Sequence, residues 1–251
     1  MAAITNINEA SDLLRACVER ARRGVGFTGA GISTDSGIPD FRSPGGIWEH
    51  YRPIEFDEFL ESEEVRLEDW RRRFDMIDTI RNAEPNAGHI VLTRLVREKR
   101  FSLVITQNID GLHHKAGLSH ENLVELHGNG TYAACLDCGR RHEFDDLRST
   151  FAAGCAPRCA DCGGLVKAAV VSFGQAMPEA ELARAAEETE SCDLFVVLGS
   201  SLQVQPAASL PILAKRAGAR LIIVNREATP IDDLADVVIR TSIAEVCESL
   251  I

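Results

Sequence analysis

The chain has 251 residues, 45% of them hydrophobic and 26% charged, enough for one large domain or one domain with an insert built on a sizeable core. Its net charge of −11 argues against sequence-independent binding of nucleic acid or of an anionic membrane, both of which need a basic surface, and leaves a basic protein or peptide open as a substrate. No run approaches the length of a membrane helix, and the N-terminus carries acidic residues without the apolar core of a signal peptide, so the cytoplasm is the expected compartment.

Residues 8–23 place Leu13, Leu14, Ala16, Cys17, Val18 and Ala21 in an amphipathic pattern, predicting a helix capped by Asn8 or Ser11 and stopped at Gly24. Val25-Gly26-Phe27 then reads as a short strand, followed by Gly29-Ala30-Gly31-Ile32-Ser33. Small residues after a strand let backbone N–H groups approach a pyrophosphate closely. Thr34 stands where the dinucleotide fingerprint has its third glycine, however, and a simple turn fits the same residues. Residues 34–46 are rich in Gly and Pro and carry Asp40, Phe41 and Arg42 in a row. They predict a long loop, with an aromatic ring to cover a ligand and a cation to meet its charge. Residues 47–82 read as helical, with Arg71-Arg72-Arg73 as a solvated face, and residues 84–89 open a further helix with His89 near its start.

The most informative stretch is residues 101–129. Leu103-Val104-Ile105 runs into Thr106-Gln107-Asn108 and Asp110, and Leu123-Val124-Glu125-Leu126 runs into His127-Gly128-Asn129. Two buried strands that end in polar clusters are what an open α/β sheet places at its ligand edge. His127 is the one histidine directly following such a strand, where a neutral imidazole is suited to take a proton near pH 7. The plain alternative is a turn with a histidine cap.

Five of the eight cysteines lie between Cys135 and Cys162, a clustering that points to metal rather than disulfides in a cytosolic chain. Cys135-x2-Cys138 and Cys159-x2-Cys162 have the spacing of two zinc knuckles, and four thiolates close a tetrahedral site with no open position. The expectation is therefore one structural Zn2+ that supplies folding energy to a segment too short for its own core. Cys155 stays open as a replacement for one ligand.

Farther on, residues 165–178 form an apolar strand-like run with a turn at Gly174, and residues 179–190 a helix. Residues 193–198 are a buried strand leading into Gly199-Ser200-Ser201-Leu202, a small-residue turn suited to phosphate or ribose. A helix over residues 207–217 precedes a strand over 220–225, where Asn225 and Glu227 suit ribose hydroxyls. Residues 237–239 and 243–250 give the last strand and helix. Alternating strands and helices predict an α/β fold, a Rossmann-like parallel sheet with helices on both faces, with polar strand ends gathered in one crevice.

In combination, the blocks 29–33, 37–42, 106–113, 125–129, the two cysteine pairs, 199–202 and Val224-Asn225 resemble the sirtuin (Sir2) family of NAD-dependent protein deacylases, in family order and across nearly the whole chain. The resemblance implies a discontinuous Rossmann-like NAD-binding domain over 1–46, 84–130 and 166–251, a helical insert at 47–83 and a zinc-binding module at 131–165. NAD would be a consumed co-substrate and an acyl-lysine protein or peptide the partner. Gly29, Ala30, Gly31 and Ile32 would line the pyrophosphate with Asp40 and Arg42 nearby, and Phe41 would shield the reacting C1′ from water. Gln107, Asn108 and Asp110 would form the nicotinamide pocket, with Asn108 also catalytic. Gly199, Ser200, Ser201, Asn225, Glu227 and Ile243 would hold the adenosine half. Val170, Val171, Phe173 and Gly174 would pair with the substrate peptide.

On this reading the acyl oxygen, a poor nucleophile, attacks C1′ as nicotinamide leaves, and His127 is the base that deprotonates a ribose hydroxyl. The products would be nicotinamide, O-acyl-ADP-ribose and free lysine. The chain departs from the family pattern at Ser200, where many relatives have Thr, at Gln175, where many have Glu, and at Lys167-Ala168-Ala169, which lacks a common proline. Trp70-x-x-Arg73 only loosely echoes the Tyr-x-x-Arg of relatives that remove acidic acyl groups, so acetyl is the favoured acyl group. The rivals are an ADP-ribosyltransferase on the same NAD site, a deacylase for long-chain or acidic acyl groups, a non-catalytic NAD-binding module and a dehydrogenase. The incomplete glycine fingerprint and the closed zinc site disfavour the last.

Overall fold

The computed structural model describes residues 3–250. The first helix, α1 (Ile7–Arg20), is capped by Asn6, whose side chain accepts the Glu9 N–H at 3.1 Å, and not by Asn8 or Ser11. Ser11 is instead buried and turns its hydroxyl to the Val246 carbonyl. Strand β1 (Gly24–Thr28) follows. The segment read as one helical run is three helices: α2 (Ile47–His50), α3 (Phe56–Glu61) and α4 (Glu63–Asn82). Pro53 lies in the extended break between the first two, and Ser62 restarts the chain by capping α4 through the Val65 N–H.

Helix α5 (Ala87–Arg97) leads into β2 (Phe101–Thr106), α6 (Leu112–Lys115) and β3 (Leu123–Glu125). A segment whose secondary structure the sequence left unassigned then forms β4 (Gly128–Cys135), β5 (Arg141–His142) and α7 (Phe144–Ala152), before β6 (Val166–Val170). The chain closes with α8 (Glu179–Ser191), β7 (Leu194–Leu198), α9 (Leu210–Arg216), β8 (Arg220–Val224), β9 (Val237–Ile239) and α10 (Ile243–Glu248).

Six strands pair in the order β3-β2-β1-β7-β8-β9, all parallel. Their residues alternate between two cores. Leu194, Val196 and Leu198 of β7 pack with α1, α5 and α10, while Phe195 and Val197 pack with α8 and α9. Burial on both faces is why these strands read as continuous apolar runs.

A second sheet, β5-β4-β6, is antiparallel. The strand-like run read over residues 165–178 contributes β6 to this sheet: β6 pairs with β4, with Ala133 opposite Ala168 and Cys135 opposite Val166. One face of this sheet is closed by Trp70, Phe74 and Ile77 from α4 and Phe144 and Leu147 from α7. The helical segment and the cysteine-bearing segment thus share one core, and a cleft separates it from the parallel sheet.

Candidate active site

The order in which the chain adds strands reverses between β1 and β7, and the loops leaving these strands open a crevice at their carboxyl ends. There the backbone is drawn tight. Gly31 N–H donates to the Gly199 carbonyl at 2.8 Å, and a Cβ on Gly29 would stand 2.7 Å from that same oxygen. Glycine at 29 and 31 is thus required by loop-to-loop contact.

The neighbouring strand ends carry a connected polar wall. The Thr28 hydroxyl donates to Thr106 Oγ1 at 2.8 Å, and Thr106 Oγ1 accepts the Asn108 N–H at 3.0 Å. Asn108 Nδ2 donates to Ser33 Oγ at 3.1 Å, and Ser33 donates to Asp110 Oδ2 at 2.8 Å. Asp110 Oδ1 accepts the Leu112 N–H at 2.8 Å. Burial pushes the Asp110 carboxyl above its usual pKa, against the pull of these three donors. The wall is buried, with its amide and carboxyl held by their neighbours. Gln107 reaches the other way, donating to Ser200 Oγ at 2.7 Å and joining this wall to the β7 loop.

His127 leaves β3 and faces the same cleft. Its Nδ1 lies 3.0 Å from the Gln107 carbonyl oxygen, which can only accept, so Nδ1 carries the proton and Nε2 keeps a lone pair. Burial lowers the imidazole pKa below its usual value, with the Gln107 carbonyl pulling the other way. The ring is therefore neutral near pH 7 and arranged as a base. Its position is fixed from behind by Gly128, whose φ of 74° turns the chain into β4 where a Cβ would stand 2.2 Å from the Ala169 carbonyl oxygen.

Opposite His127, the chain leaving β6 borders the cleft, with Phe173 and Gly174 exposed. Val171 N–H donates to the His127 carbonyl at 2.9 Å, and the Phe173 carbonyl accepts the Phe56 N–H at 2.8 Å. Phe173 is 42% exposed, and its ring is 5.8 Å from Trp48, which in turn is 5.5 Å from Phe41. The Arg42 guanidinium sits 4.1 Å over the Trp48 ring. Asp40 holds this loop by accepting the backbone N–H groups of Arg42 and Ser43.

The four paired cysteines come together in the small sheet. Cys135 and Cys162 Sγ atoms are 3.5 Å apart, Cys138 and Cys159 3.7 Å, and all four lie within 4.8 Å of one another. Tetrahedral Zn–S bonds of about 2.3 Å put sulfurs roughly 3.8 Å apart, so the donor set fits zinc. Cys155 is exposed and outside the cluster, which removes it as an alternative ligand.

These surfaces enclose a cleft of about 1050 Å³. Every residue assigned to NAD, to catalysis or to the peptide lines it except Ile32, which is 1% exposed and packs into the core beside Leu92. The Trp70 echo also fails: its ring is 0% exposed, packed against Phe74 and Phe144, and cannot contact an acyl group. Arg72 and Arg73, read as a solvated face, border the cleft, with Arg73 3.4 Å from Asp69. Sequence reasoning passed over Ser33, which bridges Asn108 and Asp110, and the Thr28–Thr106 pair. Polar side chains at the ends of β1 and β2, and Ser33 just after the turn at Ala30–Ile32, were the available signal.

Fold and cleft together define an α/β protein with a dinucleotide-type crevice facing a small metal-binding lobe. A model of the Sir2 family matches residues 29–206. The chain is 54% identical over 243 residues to NAD-dependent protein deacetylase 1 of Bradyrhizobium diazoefficiens, covering 94% of this chain and 95% of that one. It is 41% identical over 246 residues to NAD-dependent protein deacylase 2 of Archaeoglobus fulgidus, covering 98% and 94%. Among solved structures, a Sir2 enzyme with deacetylated p53 peptide and 3′-O-acetyl ADP-ribose superposes with a TM-score of 0.88 at 35% identity, covering 98% and 97%. The chain belongs to the Sir2 family.

Proposed function

We propose that this protein removes acyl groups, acetyl foremost, from lysine side chains of proteins with NAD as co-substrate, releasing nicotinamide, O-acyl-ADP-ribose and free lysine. The observation that carries the reading is the convergence of a base-tautomer histidine, a buried amide–carboxyl wall and the segment leaving β6 on one cleft.

In this reading the Gly29–Gly31 and Gly199–Ser201 loops, whose small residues allow close approach, border the pyrophosphate. Asn108 and Asp110, held by Ser33, bind the nicotinamide carboxamide, which needs one donor and one acceptor. Phe41 covers C1′ and limits hydrolysis by water. Asn225 and Glu227 take the adenosine ribose. The backbone of residues 170–174 receives the peptide as an added strand and aims the acyl-lysine past His127. As nicotinamide departs, the acyl oxygen attacks C1′, and His127 Nε2 takes a proton from a ribose hydroxyl so that this hydroxyl can attack the acyl carbon; the lysine amine then leaves with a proton as its bond to the acyl carbon breaks, and one water adds to the acyl-bridged sugar to give O-acyl-ADP-ribose.

Cys135, Cys138, Cys159 and Cys162 would hold the zinc, whose part is to stiffen the small lobe. A four-cysteine zinc site suits a reducing compartment, here taken as the cytoplasm.

A panel of acyl-lysine peptides incubated with and without NAD, read by mass spectrometry, tests the reading. Free lysine and O-acyl-ADP-ribose in equal amounts, only with NAD, are expected. A protein that gains ADP-ribose instead would place the chain with the transferases.

A further inference from the structure

Three aromatic rings meet along the cleft, outside the hydrophobic cores of the described residues. Trp48, on α2, stands between the other two. Its ring is 5.5 Å from Phe41, tilted by 48°, and 5.8 Å from Phe173, tilted by 56°, and the Arg42 guanidinium lies 4.1 Å over it. All four residues line the cleft, and none of the three rings is fully buried. A partly exposed aromatic cluster adds little to a core, so its place beside the site calls for an account.

The backbone ties the same residues together. Ile47 N–H donates to the Asp40 carbonyl at 2.9 Å and Trp48 N–H to the Phe41 carbonyl at 3.1 Å, so the start of α2 is bonded to the loop that carries Phe41 and Arg42. Beyond α2, Phe56 N–H donates to the Phe173 carbonyl at 2.8 Å, and Glu55 bridges to Phe173 as a parallel partner. Between these points α4 braces the chain. Arg72 Nη1 donates to the Arg52 carbonyl at 2.7 Å, and the Arg72 guanidinium lies 4.9 Å over the Tyr51 ring. Residues 47–56 thus run from the loop assigned to NAD to the segment assigned to the peptide, and the Trp48 side chain touches both.

We propose that Trp48 is a positioning residue that couples the two substrates: a peptide laid along residues 170–174 steadies Phe173 and Trp48, and Trp48 in turn holds Phe41 and Arg42 over the nicotinamide ribose. The proposal deepens the deacylase reading and rests on it for the roles of Phe41 and of residues 170–174. Its physical content is linkage. A tilted aromatic pair and a cation over an indole face are attractions that require the ring in one orientation. A ring ordered by the first ligand is already in place for the second, so each ligand tightens the other by the same factor. The chemical use is timing: Phe41 and Arg42 are set over C1′ when an acyl oxygen is there to attack it.

ADP-ribose, which has no nicotinamide to lose and so does not react, is the probe. Calorimetry of ADP-ribose binding with and without saturating acetyl-lysine peptide gives the coupling factor as the ratio of the two dissociation constants. In the wild type the peptide should tighten ADP-ribose about fivefold or more, and ADP-ribose should tighten the peptide equally. Trp48→Leu should bring the factor close to one, while Trp48→Phe, which keeps an aromatic face, should retain part of it. Loss of packing alone would weaken binding and leave the ratio unchanged, so a Trp48→Leu factor equal to that of the wild type overturns the proposal. Should the variants fail to fold, the wild type still decides through its fluorescence, because Trp48 and the fully buried Trp70 are the only two tryptophans. Peptide alone should protect the accessible indole from acrylamide quenching, and an indole as accessible with peptide as without it overturns the proposal. A wild type that binds both ligands with a factor of one overturns the coupling and leaves the deacylase reading standing; one that binds neither overturns that reading and the coupling with it.

Discussion

His127 Nδ1 and the Gln107 carbonyl oxygen stand 3.0 Å apart, and this contact decides the chemistry of the ring. Because a carbonyl only accepts, the proton is committed to Nδ1 and the cleft receives the basic Nε2. Gln107 leaves the end of β2 and His127 leaves β3, so the parallel pairing of Thr106 with Glu125 sets the tautomer.

The first prediction follows from the lowered pKa of His127. The base must be neutral, so kcat/KM is lost as pH falls through the folded-state value, which lies below 6.5. Activity should therefore persist through pH 6.5 and decline only in more acid solution. A pH profile whose acid limb sits at or above 6.5 would assign the base to another group.

A stability prediction concerns His89. Its folded pKa of about 4 lies below the unfolded value of 6.5, so the unfolded chain binds the extra proton between those limits. Stability is then full above pH 6.5 and falls as pH drops toward 4, by about 3 kcal/mol from this residue. His113 acts in the same direction, while Asp110, raised above 3.8, stabilises the fold as pH falls through its raised folded-state value toward 3.8. Urea unfolding of wild type and His89→Gln across pH 7 to 4.5 checks this: the variant should show the shallower dependence.

Zinc gives a third test. One metal per chain is expected, and Cys159→Ser should lose it together with order in β4–β6, since the buried Cys159 packs in the same core as Phe144 and Val166. Metal analysis combined with thermal unfolding reads both effects. A metal-free variant that melts with the wild type would show that the cysteines hold nothing the fold requires.

Gly199 supplies the fourth. Its φ is 68°, and an added Cβ would stand 2.3 Å from Ile32 N. Gly199→Ala should cost roughly 1–3 kcal/mol in stability and weaken NAD binding, because the β1 and β7 loops must separate. Unfolding curves and NAD titration measure the two losses, and an unchanged protein would mean that the loops are not in contact in solution.

Much of the site was legible because strand ends declare themselves: apolar runs breaking at Thr106, His127, Gly199 and Asn225 mark one sheet edge. The small sheet was not. Strand β4, Gly128–Cys135, contains two glycines and no long apolar alternation, and its burial comes from Trp70 and Phe74, some sixty residues earlier in the chain. Ile32 was misread for a local reason: it sits inside a cleft-lining motif while its side chain turns to the core. Ser33, the next residue, turns the opposite way and binds Asn108 and Asp110, a choice that only the 3-10 turn at Ala30–Ile32 decides.

The most direct test compares wild type with His127→Ala on an acetyl-lysine peptide and NAD, with circular dichroism to verify the fold. Wild type should form O-acetyl-ADP-ribose and free lysine, and the variant should lose roughly 10²–10⁴-fold of that rate while remaining folded. A folded His127→Ala protein that deacetylates at the wild-type rate would contradict the account.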